Sequence, residues 1–236
     1  MVMNDPAPGR FAACALKSLL LDPALDAQLR TYQPPAVLHE AGSPALDLYI
    51  VHQGQIRLYQ PGPRGVDRLV EIYGPGHWFG SEALAGRAIH AHRAVVVSTA
   101  RVGIVAAHKL LEQLPRRPLA AVELVGQLAR KVQLAREDAG RLVFDDCGDR
   151  LLKTLVRFSD SAAATAIPGG VELHITHMQL AQAVGVARET ISLALTQLRR
   201  RSLLQTGRNR LTYNPDLLRQ SLCRDHQRSI LREAAV

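Results

Sequence analysis

The side chains best suited to bind a partner lie close together between residues 176 and 200. Two short amphipathic patterns meet there at Gly185, a residue free to adopt the left-handed conformation of a tight turn between helices. Arg188, Glu189 and Thr190 follow this turn and fall off the apolar face of the second pattern. A guanidinium, a carboxylate and a hydroxyl on the first turn of an exposed helix can hydrogen-bond base edges in the major groove of DNA.

A basic hairpin is predicted after this helix pair. The run Gly207-Arg208-Asn209-Arg210 lies between two apolar stretches, which is typical of a β-hairpin whose tip carries positive charge. A helical hairpin inside a core is the alternative, but it explains neither the exposed polar residues nor the basic tip. A helix pair followed by a basic wing favours DNA binding. The predicted DNA-contacting residues are Thr176, His177, Gln179, Arg188, Glu189, Thr190, Ser192, Arg208 and Arg210.

The residues of this set have different expected roles. Glu189 is expected to accept a hydrogen bond from a cytosine amino group, and Arg188 to reach a guanine or a phosphate. The residues expected to position the domain on phosphates are Thr176, His177, Gln179, Arg208 and Arg210.

The distribution of charge favours the same kind of partner. The chain has 236 residues, with 29 Lys and Arg against 21 Asp and Glu. Residues 148–236 contain 13 of the basic and seven of the acidic residues, so most of the formal net charge of +8 lies there. A basic segment indicates a polyanionic partner, of which nucleic acid is the commonest.

Composition and spacing exclude several other classes of protein. With 47% hydrophobic and 21% charged residues, the chain is not disordered throughout. Its three cysteines are far apart and form no CxxC pair, which excludes a zinc ribbon, a four-cysteine iron–sulfur cluster and a disulfide framework. His90 and His92 are spaced like metal ligands, but valines stand at 95–97 where a carboxylate would follow, so no metal is expected. Single histidines such as His77 are more often surface or hydrogen-bonded residues than haem ligands, so no haem is expected either.

The sequence also predicts where the protein is located and whether it is an enzyme. The apolar runs are too short to cross a bilayer and the N-terminus lacks a basic start, so a cytoplasmic protein without membrane association is predicted. No nucleophile–base pair and no catalytic carboxylate pair is recognisable, so no enzymatic activity is predicted.

Short β-forming runs dominate the first half of the chain. Residues 34–105 contain several such runs separated by glycine and proline, which predicts a barrel or a sandwich. Residues 9–31 have the apolar spacing of a helix broken at Pro23, and residues 159–170 are expected to form a loop. The predicted domains are a β-rich domain at 1–117, a long helix at 118–144 and a DNA-binding domain at 145–236.

The long helix carries two interleaved series of apolar residues at seven-residue steps. Together they form a continuous seam over three heptads, which predicts pairing with a second copy of the chain. Packing against the β-rich domain of the same chain is the alternative. The predicted dimer-interface residues are Ala121, Val125, Leu128, Val132, Ala135, Ala139 and Leu142.

The order of these parts resembles a known family. Residues 185–192 (GVARETIS), together with residues 48–57, 74–80 and 144–150, are similar to the bacterial transcription regulators typified by the cyclic-AMP receptor protein and the oxygen regulator FNR. The resemblance implies an α+β chain with a jelly-roll β-barrel of the cyclic-nucleotide-binding type, a long dimerisation helix and a C-terminal winged helix-turn-helix. It also implies a homodimer that binds a two-fold symmetric promoter site and contacts RNA polymerase.

The effector pocket departs from this family. Its cyclic-nucleotide members carry Gly-Glu, a loop and Arg-Ser, whereas here the acid is displaced by one to Glu82 and the Arg-Ser pair falls on His90 and Ala91. Two adenine-contacting hydroxyl residues of the family fall on Ala135 and Arg136. The usual cyclic-AMP dependence and any cofactor are therefore not expected, although Arg87 or Arg93 can replace the anion-binding arginine. The pocket residues implied are Gly80, Ser81, Glu82, Arg87, His90, Arg93, Ala135 and Arg136.

Two functions of different classes remain open at this point. The first is a DNA-binding transcription regulator. The second is a cupin-type small-molecule receptor or enzyme whose helical tail is a scaffold. The basic wing and the exposed Arg188 and Glu189 favour the first.

Overall fold

The computed structural model describes residues 15–62, 65–86, 88–144 and 146–222, and over 137–144 it describes the backbone alone. The chain forms two units, one ending at Asp138 and the other beginning at Ala139. The elements of the first are α1 (Ala15–Leu20), β1 (Gln28–Tyr32), β2 (Ala36–His39), β3 (Asp47–Gln53), β4 (Ile56–Gln60), β5 (Arg68–Tyr73), β6 (Trp78–Phe79), β7 (Arg93–Val96), β8 (Ala100–Ala106), α2 (Ala107–Gln113) and α3 (Pro118–Phe144), whose last turns pass into the second unit.

Two four-stranded antiparallel sheets make up the β-rich domain. Their strand orders are β1-β8-β3-β6 and β2-β7-β4-β5. Side chains from both sheets share one core, to which β3 contributes Tyr49 and Val51 and β7 contributes Ala94 and Val96. The expected jelly-roll barrel is thereby confirmed.

The central strand β3 is buried on both faces. Tyr49 and Val51 point into the core between the sheets, while Leu48 and Ile50 point to a second core beneath the helices. Successive side chains of a strand alternate between its two faces, so a strand covered on both sides has an unbroken run of apolar residues. The second core also contains Trp78 and residues of α1, α2 and α3.

The helical prediction for residues 9–31 is wrong beyond Leu20. A single 3₁₀ turn, Pro23–Leu25, follows α1 and is capped by Asp22, whose carboxylate accepts a hydrogen bond from Ala24 N at 2.9 Å. Residues 28–32 then form β1, an edge strand paired with β8. Leu29 is 46% exposed in this strand. The apolar spacing that includes Leu29 therefore did not correspond to the buried face of a helix. Residues 9–14 lie outside the described residues.

Helix α3 uses its two faces differently. Ala120 and Leu124 are buried in the core beneath the helices, and Leu128 packs against that core. Val125 and Val132 lie on the other face and are 65% and 52% exposed. The predicted seam is thus divided between a barrel-facing side and a free side. Of the other seam residues, Ala121 is half-buried and Ala135 is exposed, whereas the side chains of Ala139 and Leu142 lie outside the described residues.

The second unit continues from α3 as a small mixed domain. Its elements are α4 (Cys147–Phe158), β9 (Ala164–Ile167), β10 (Gly170–His174), α5 (His177–Val184), α6 (Arg188–Arg200), β11 (Leu204–Gly207) and β12 (Arg210–Tyr213). The strands form one antiparallel sheet in the order β11-β12-β10-β9. The loop expected over 159–170 is wrong in part, because β9 pairs with β10 there. Tyr213 donates to the Leu155 carbonyl at 2.7 Å, which ties the hairpin to α4.

Candidate nucleic-acid interface and effector pocket

Local hydrogen bonds fix the start of α5. The Thr176 hydroxyl accepts from Gln179 N at 3.1 Å, and the Gln179 side-chain oxygen accepts from Thr176 N at 3.0 Å. This capping box satisfies backbone amides that would otherwise lack partners. Thr176 and Gln179, both predicted to contact phosphates, therefore also cap the helix. A hydroxyl and a side-chain amide three residues apart are the sequence pattern of a capping box, so this role could have been predicted.

The turn between α5 and α6 is set by Gly185. Its φ of 79° is left-handed, and its N–H donates to the Ala181 carbonyl at 2.8 Å. The C-cap glycine ends α5 at the turn that the sequence predicts. Ile191 and Leu195 then bury the inner face of α6, while Leu180 and Val184 bury that of α5. The two helices form the predicted pair.

The outer face of α6 begins with three exposed polar residues. Arg188, Glu189 and Thr190 are all exposed. Ser192, predicted to contact DNA with them, is only half-exposed, and its hydroxyl donates to the Arg188 carbonyl at 3.1 Å. His177 Nδ1 lies 3.0 Å from the same hydroxyl. His177 and Ser192 thus connect α5 to α6, an interhelical contact that sequence spacing does not reveal.

The predicted wing forms between β11 and β12. Gly207 pairs with Arg210 at the end of the ladder, and Asn209 in the turn has a left-handed φ of 56°. Arg208 is exposed at the tip. Arg210 also reaches Glu172 of β10, with 3.4 Å between Nη1 and Oε2. One arginine of the wing therefore shares its charge with a carboxylate of the same sheet.

Two of the residues predicted to form the effector pocket, Glu82 and His90, are paired with each other. Glu82 lies in the 3₁₀ turn Ser81–Ala85, which begins after Gly80, and its Oε1 is 2.7 Å from His90 Nδ1. Gly80 has a φ of 87°, and a Cβ there would lie 2.6 Å from the Asp47 carbonyl oxygen. His90 is 1% exposed. Burial raises the pKa of Glu82, but hydrogen bonds and the imidazole outweigh it and the net pKa is lowered.

A second buried imidazole, His39, stacks on His90. The ring centres are 3.5 Å apart and the planes 12° from parallel. Within the described part of the chain neither ring nitrogen of His39 makes a hydrogen bond of normal geometry, although the backbone of His92 lies close enough to favour the protonated ring. Burial, and after it the neighbouring His90, lowers the pKa of His39 to about 4, so this ring is neutral at physiological pH. His39 was missed by the sequence analysis, because β2 brings it to the pocket from about 50 residues away.

Aromatic rings extend from this imidazole stack into the barrel core. Tyr49 lies 5.4 Å from the His39 ring centre, and Phe79 stacks between Tyr49 and Tyr73 at 5.0 Å from each. Tyr73 donates a hydrogen bond to Glu71. Burial raises the pKa of Tyr49 to about 12. The side of the pocket that faces the core is therefore formed by packed rings.

The structure places three of the other predicted pocket residues, Arg93, Ala135 and Arg136. Arg93 forms an ion pair with Asp67. Ala135 and Arg136 are exposed on α3. Arg87 lies outside the described residues.

Two residues that the sequence analysis missed connect α3 to the barrel. Gln127 accepts a hydrogen bond from Trp78 Nε1 at 2.8 Å, and Lys131 Nζ lies 4.9 Å from the Trp78 ring centre. A cation over an indole face is attracted to its electrons. Gln127 and Lys131 are four residues apart and so lie on the same face of the helix, which is the sequence feature that could have indicated a shared contact.

The described residues contain neither a metal-binding cluster nor a membrane-spanning helix. No group of three or more His, Cys, Asp or Glu side chains among them is arranged to hold a metal ion. None of the helices in this part of the chain is both long and apolar enough to cross a membrane.

Two protein families match the chain, each over one unit. The cyclic nucleotide-binding domain matches residues 29–117, and the Crp-like helix-turn-helix domain matches residues 149–221. These ranges contain the barrel and the helix pair with its wing.

Relatives with both parts are transcription regulators. The cAMP-activated global transcriptional regulator CRP of Haemophilus influenzae is 26% identical over 189 residues, 78% of this chain and 84% of that protein. The cyclic AMP receptor protein of Thermus thermophilus is 27% identical over 180 residues, 76% of this chain and 81% of that one. The solved structure of a CRP/FNR-family regulator from Thermus thermophilus matches with a TM-score of 0.64 at 25% identity, covering 82% of this chain and 97% of that chain. The protein belongs to the CRP/FNR family of transcription regulators, with a helix-turn-helix DNA-binding domain.

Proposed function

We propose that the protein binds a two-fold symmetric promoter site as a homodimer and contacts RNA polymerase there. The observation that carries this proposal is the geometry of α6. Its inner face is held by α5, while Arg188, Glu189 and Thr190 remain exposed on its first turn. In a dimer, two such helices enter successive major grooves about 34 Å apart. The protein acts in the cytoplasm, where its DNA is.

Base reading and phosphate binding fall to different side chains. Glu189 accepts from a cytosine amino group and Arg188 reaches a guanine or a phosphate. Arg208 and Arg210 at the wing bind phosphates, Arg208 more strongly because Arg210 is shared with Glu172. His177, expected to contact a phosphate, also holds Ser192 and so positions α6.

The free face of α3 supports the homodimer. Its large apolar residues are 52–73% exposed in the single chain. Pairing with the same face of a second copy removes this surface from water. These residues are Leu119, Val122, Val125 and Val132.

We infer that this regulation does not depend on cyclic AMP in the usual way. Glu82 is already bonded to His90, and His39 stacks on the other side of that imidazole. A nucleotide that used Glu82 would have to break this pair, and at the position of the family's arginine its phosphate would meet the imidazole of His90, which stacks on His39. Calorimetric titration with cyclic AMP should give no saturable heat at sub-millimolar ligand, and DNA affinity should change by less than about threefold. A micromolar dissociation constant contradicts this inference.

Selection of genomic DNA fragments tests the proposed function directly. The full chain is expected to enrich fragments that share an inverted repeat, both with and without added cyclic AMP. Affinity for the enriched site should fall steeply with salt, because each phosphate contact releases counterions. Enrichment of no common sequence, or an affinity insensitive to salt, contradicts the proposal.

A further inference from the structure

Leu193 is an apolar residue on the polar side of α6. It is 69% exposed, whereas Ile191, Leu195 and Leu198 on the inner face are at most 6% exposed. A single exposed leucine is ordinary on a protein surface, so its exposure alone assigns no role. Its position on the helix is the informative feature.

Leu193 lies directly next to the residues that begin the outer face of α6. It is four residues after Glu189 and three after Thr190, and residues at these spacings are neighbours on a helix surface. Gln197, one turn further on, is also exposed. Leu193 thus stands in the middle of an otherwise polar row, and a surface bound by Glu189 and Thr190 must also meet Leu193.

The major groove offers one apolar group to such a side chain. The base edges present hydrogen-bond donors and acceptors, and in addition the C5-methyl group of thymine. A leucine placed against a polar edge leaves that edge without its water and without a partner, which is unfavourable. A leucine placed against the methyl group buries apolar surface on both sides.

We propose that Leu193 is a specificity-determining residue that selects one thymine in each half-site by packing against its C5-methyl group. This inference rests on the proposed function, since it requires α6 to lie in the major groove. Glu189 and Leu193 then read neighbouring bases by two different kinds of contact, one polar and one apolar.

Removal of the methyl group alone tests the proposal. A preferred duplex is first selected from a random library, and each thymine is then replaced singly by deoxyuridine, which keeps the base pair and lacks the methyl group. One replacement per half-site should weaken binding by about fourfold, the loss expected when one carbon is no longer buried. Leu193→Ala should bind the thymine duplex and the deoxyuridine duplex with equal affinity.

A control variant and a duplex that gains a methyl group complete the experiment. Met178 of α5 is also apolar and 52% exposed, and Met178→Ala should retain the full preference for thymine over deoxyuridine. In a duplex with cytosine at the selected position, 5-methylation of that cytosine should increase the affinity of the wild-type protein. It should not change the affinity of Leu193→Ala.

Each outcome has a separate meaning. Equal binding of the thymine and deoxyuridine duplexes by the wild type, or a preference that persists in Leu193→Ala, overturns the role of Leu193 while DNA binding stands. A chain that selects no duplex from the library overturns the proposed function and this inference with it.

Discussion

The two units handle polar side chains in opposite ways. On α6, Arg188 and Glu189 are exposed and available to a partner. In the barrel, Glu82 and His90 are bonded to each other, and His39 is stacked beside them away from water. Burial away from water favours a paired Glu82 and His90 and a neutral His39, whereas exposed charged groups stay solvated until a ligand binds. Arg188 and Glu189 are therefore open to a partner, while Glu82, His90 and His39 of the barrel contact one another.

The largest effect is expected at the free face of α3, where the proposed dimer interface lies. Val125→Glu combined with Val132→Glu places like charges in the proposed dimer interface, which costs several kcal/mol or more. Sedimentation should then show monomers whose circular dichroism is unchanged. Val66→Glu alters a valine of the barrel that is 66% exposed and should leave the dimer intact. A double variant that stays dimeric contradicts the proposed interface.

Destabilisation of α6 should make the second unit unfold at a lower urea concentration than the first. Leu195 is 1% exposed, and Leu195→Ala removes buried contacts that stabilise the second unit by about 2–5 kcal/mol. Trp78 is the single tryptophan and lies in the barrel, so its fluorescence follows the first unit alone. Urea unfolding followed by circular dichroism should shift to lower concentration, while the fluorescence transition stays in place. A shift of both transitions by the same amount would show that the units unfold together.

Acid should weaken the barrel through His39. The unfolded chain protonates this residue near pH 6.5, but in the folded state its pKa is about 4. Between these values the unfolded state binds more protons, so the free energy of unfolding falls as the pH is lowered, by up to about 3 kcal/mol. Urea midpoints followed by Trp78 fluorescence from pH 7 to pH 4 measure this loss.

Two variants assign the acid effect. His39→Phe should reduce the dependence of the midpoint on pH. The part that remains is due to His52 and His92, whose pKa values burial lowers, and, near pH 4, to the carboxyl groups of Glu82 and Asp26, whose pKa values are also lowered in the folded state. His108→Gln changes an exposed histidine of the same unit and should retain the full dependence. An unchanged pH dependence in His39→Phe would assign the acid effect to other groups.

The smallest effects should distinguish base reading from phosphate binding. Glu189→Ala is expected to cost about 1–3 kcal/mol at the preferred site and to relax one base position. Arg208→Ala should weaken binding to all sequences alike and lower the salt slope by about one unit. Affinities for the preferred site and for random DNA at several salt concentrations give both results. If Glu189→Ala weakens both DNAs equally, α6 does not read bases through this residue.

Local sequence determined the helix pair and its wing. Gly185 marks a turn that needs a left-handed residue, the apolar spacing around Ile191 and Leu195 selects the buried face, and Arg208 lies between two β-forming runs. Each of these features depends on neighbours within a few residues, so spacing along the chain is sufficient to predict it. The same reasoning failed for residues 28–32, where pairing with β8 decided in favour of a strand.

Only the tertiary structure decided which side chains contact His90 and which residues of α3 face the barrel. His39 meets His90 because β2 and the loop before β7 come together in the barrel, and no spacing within either segment records that contact. Likewise, one heptad pattern contains both Leu128, which packs on the barrel, and Val125, which does not. A helix pattern reports which residues are apolar, but the surface that covers each of them is set by distant parts of the chain.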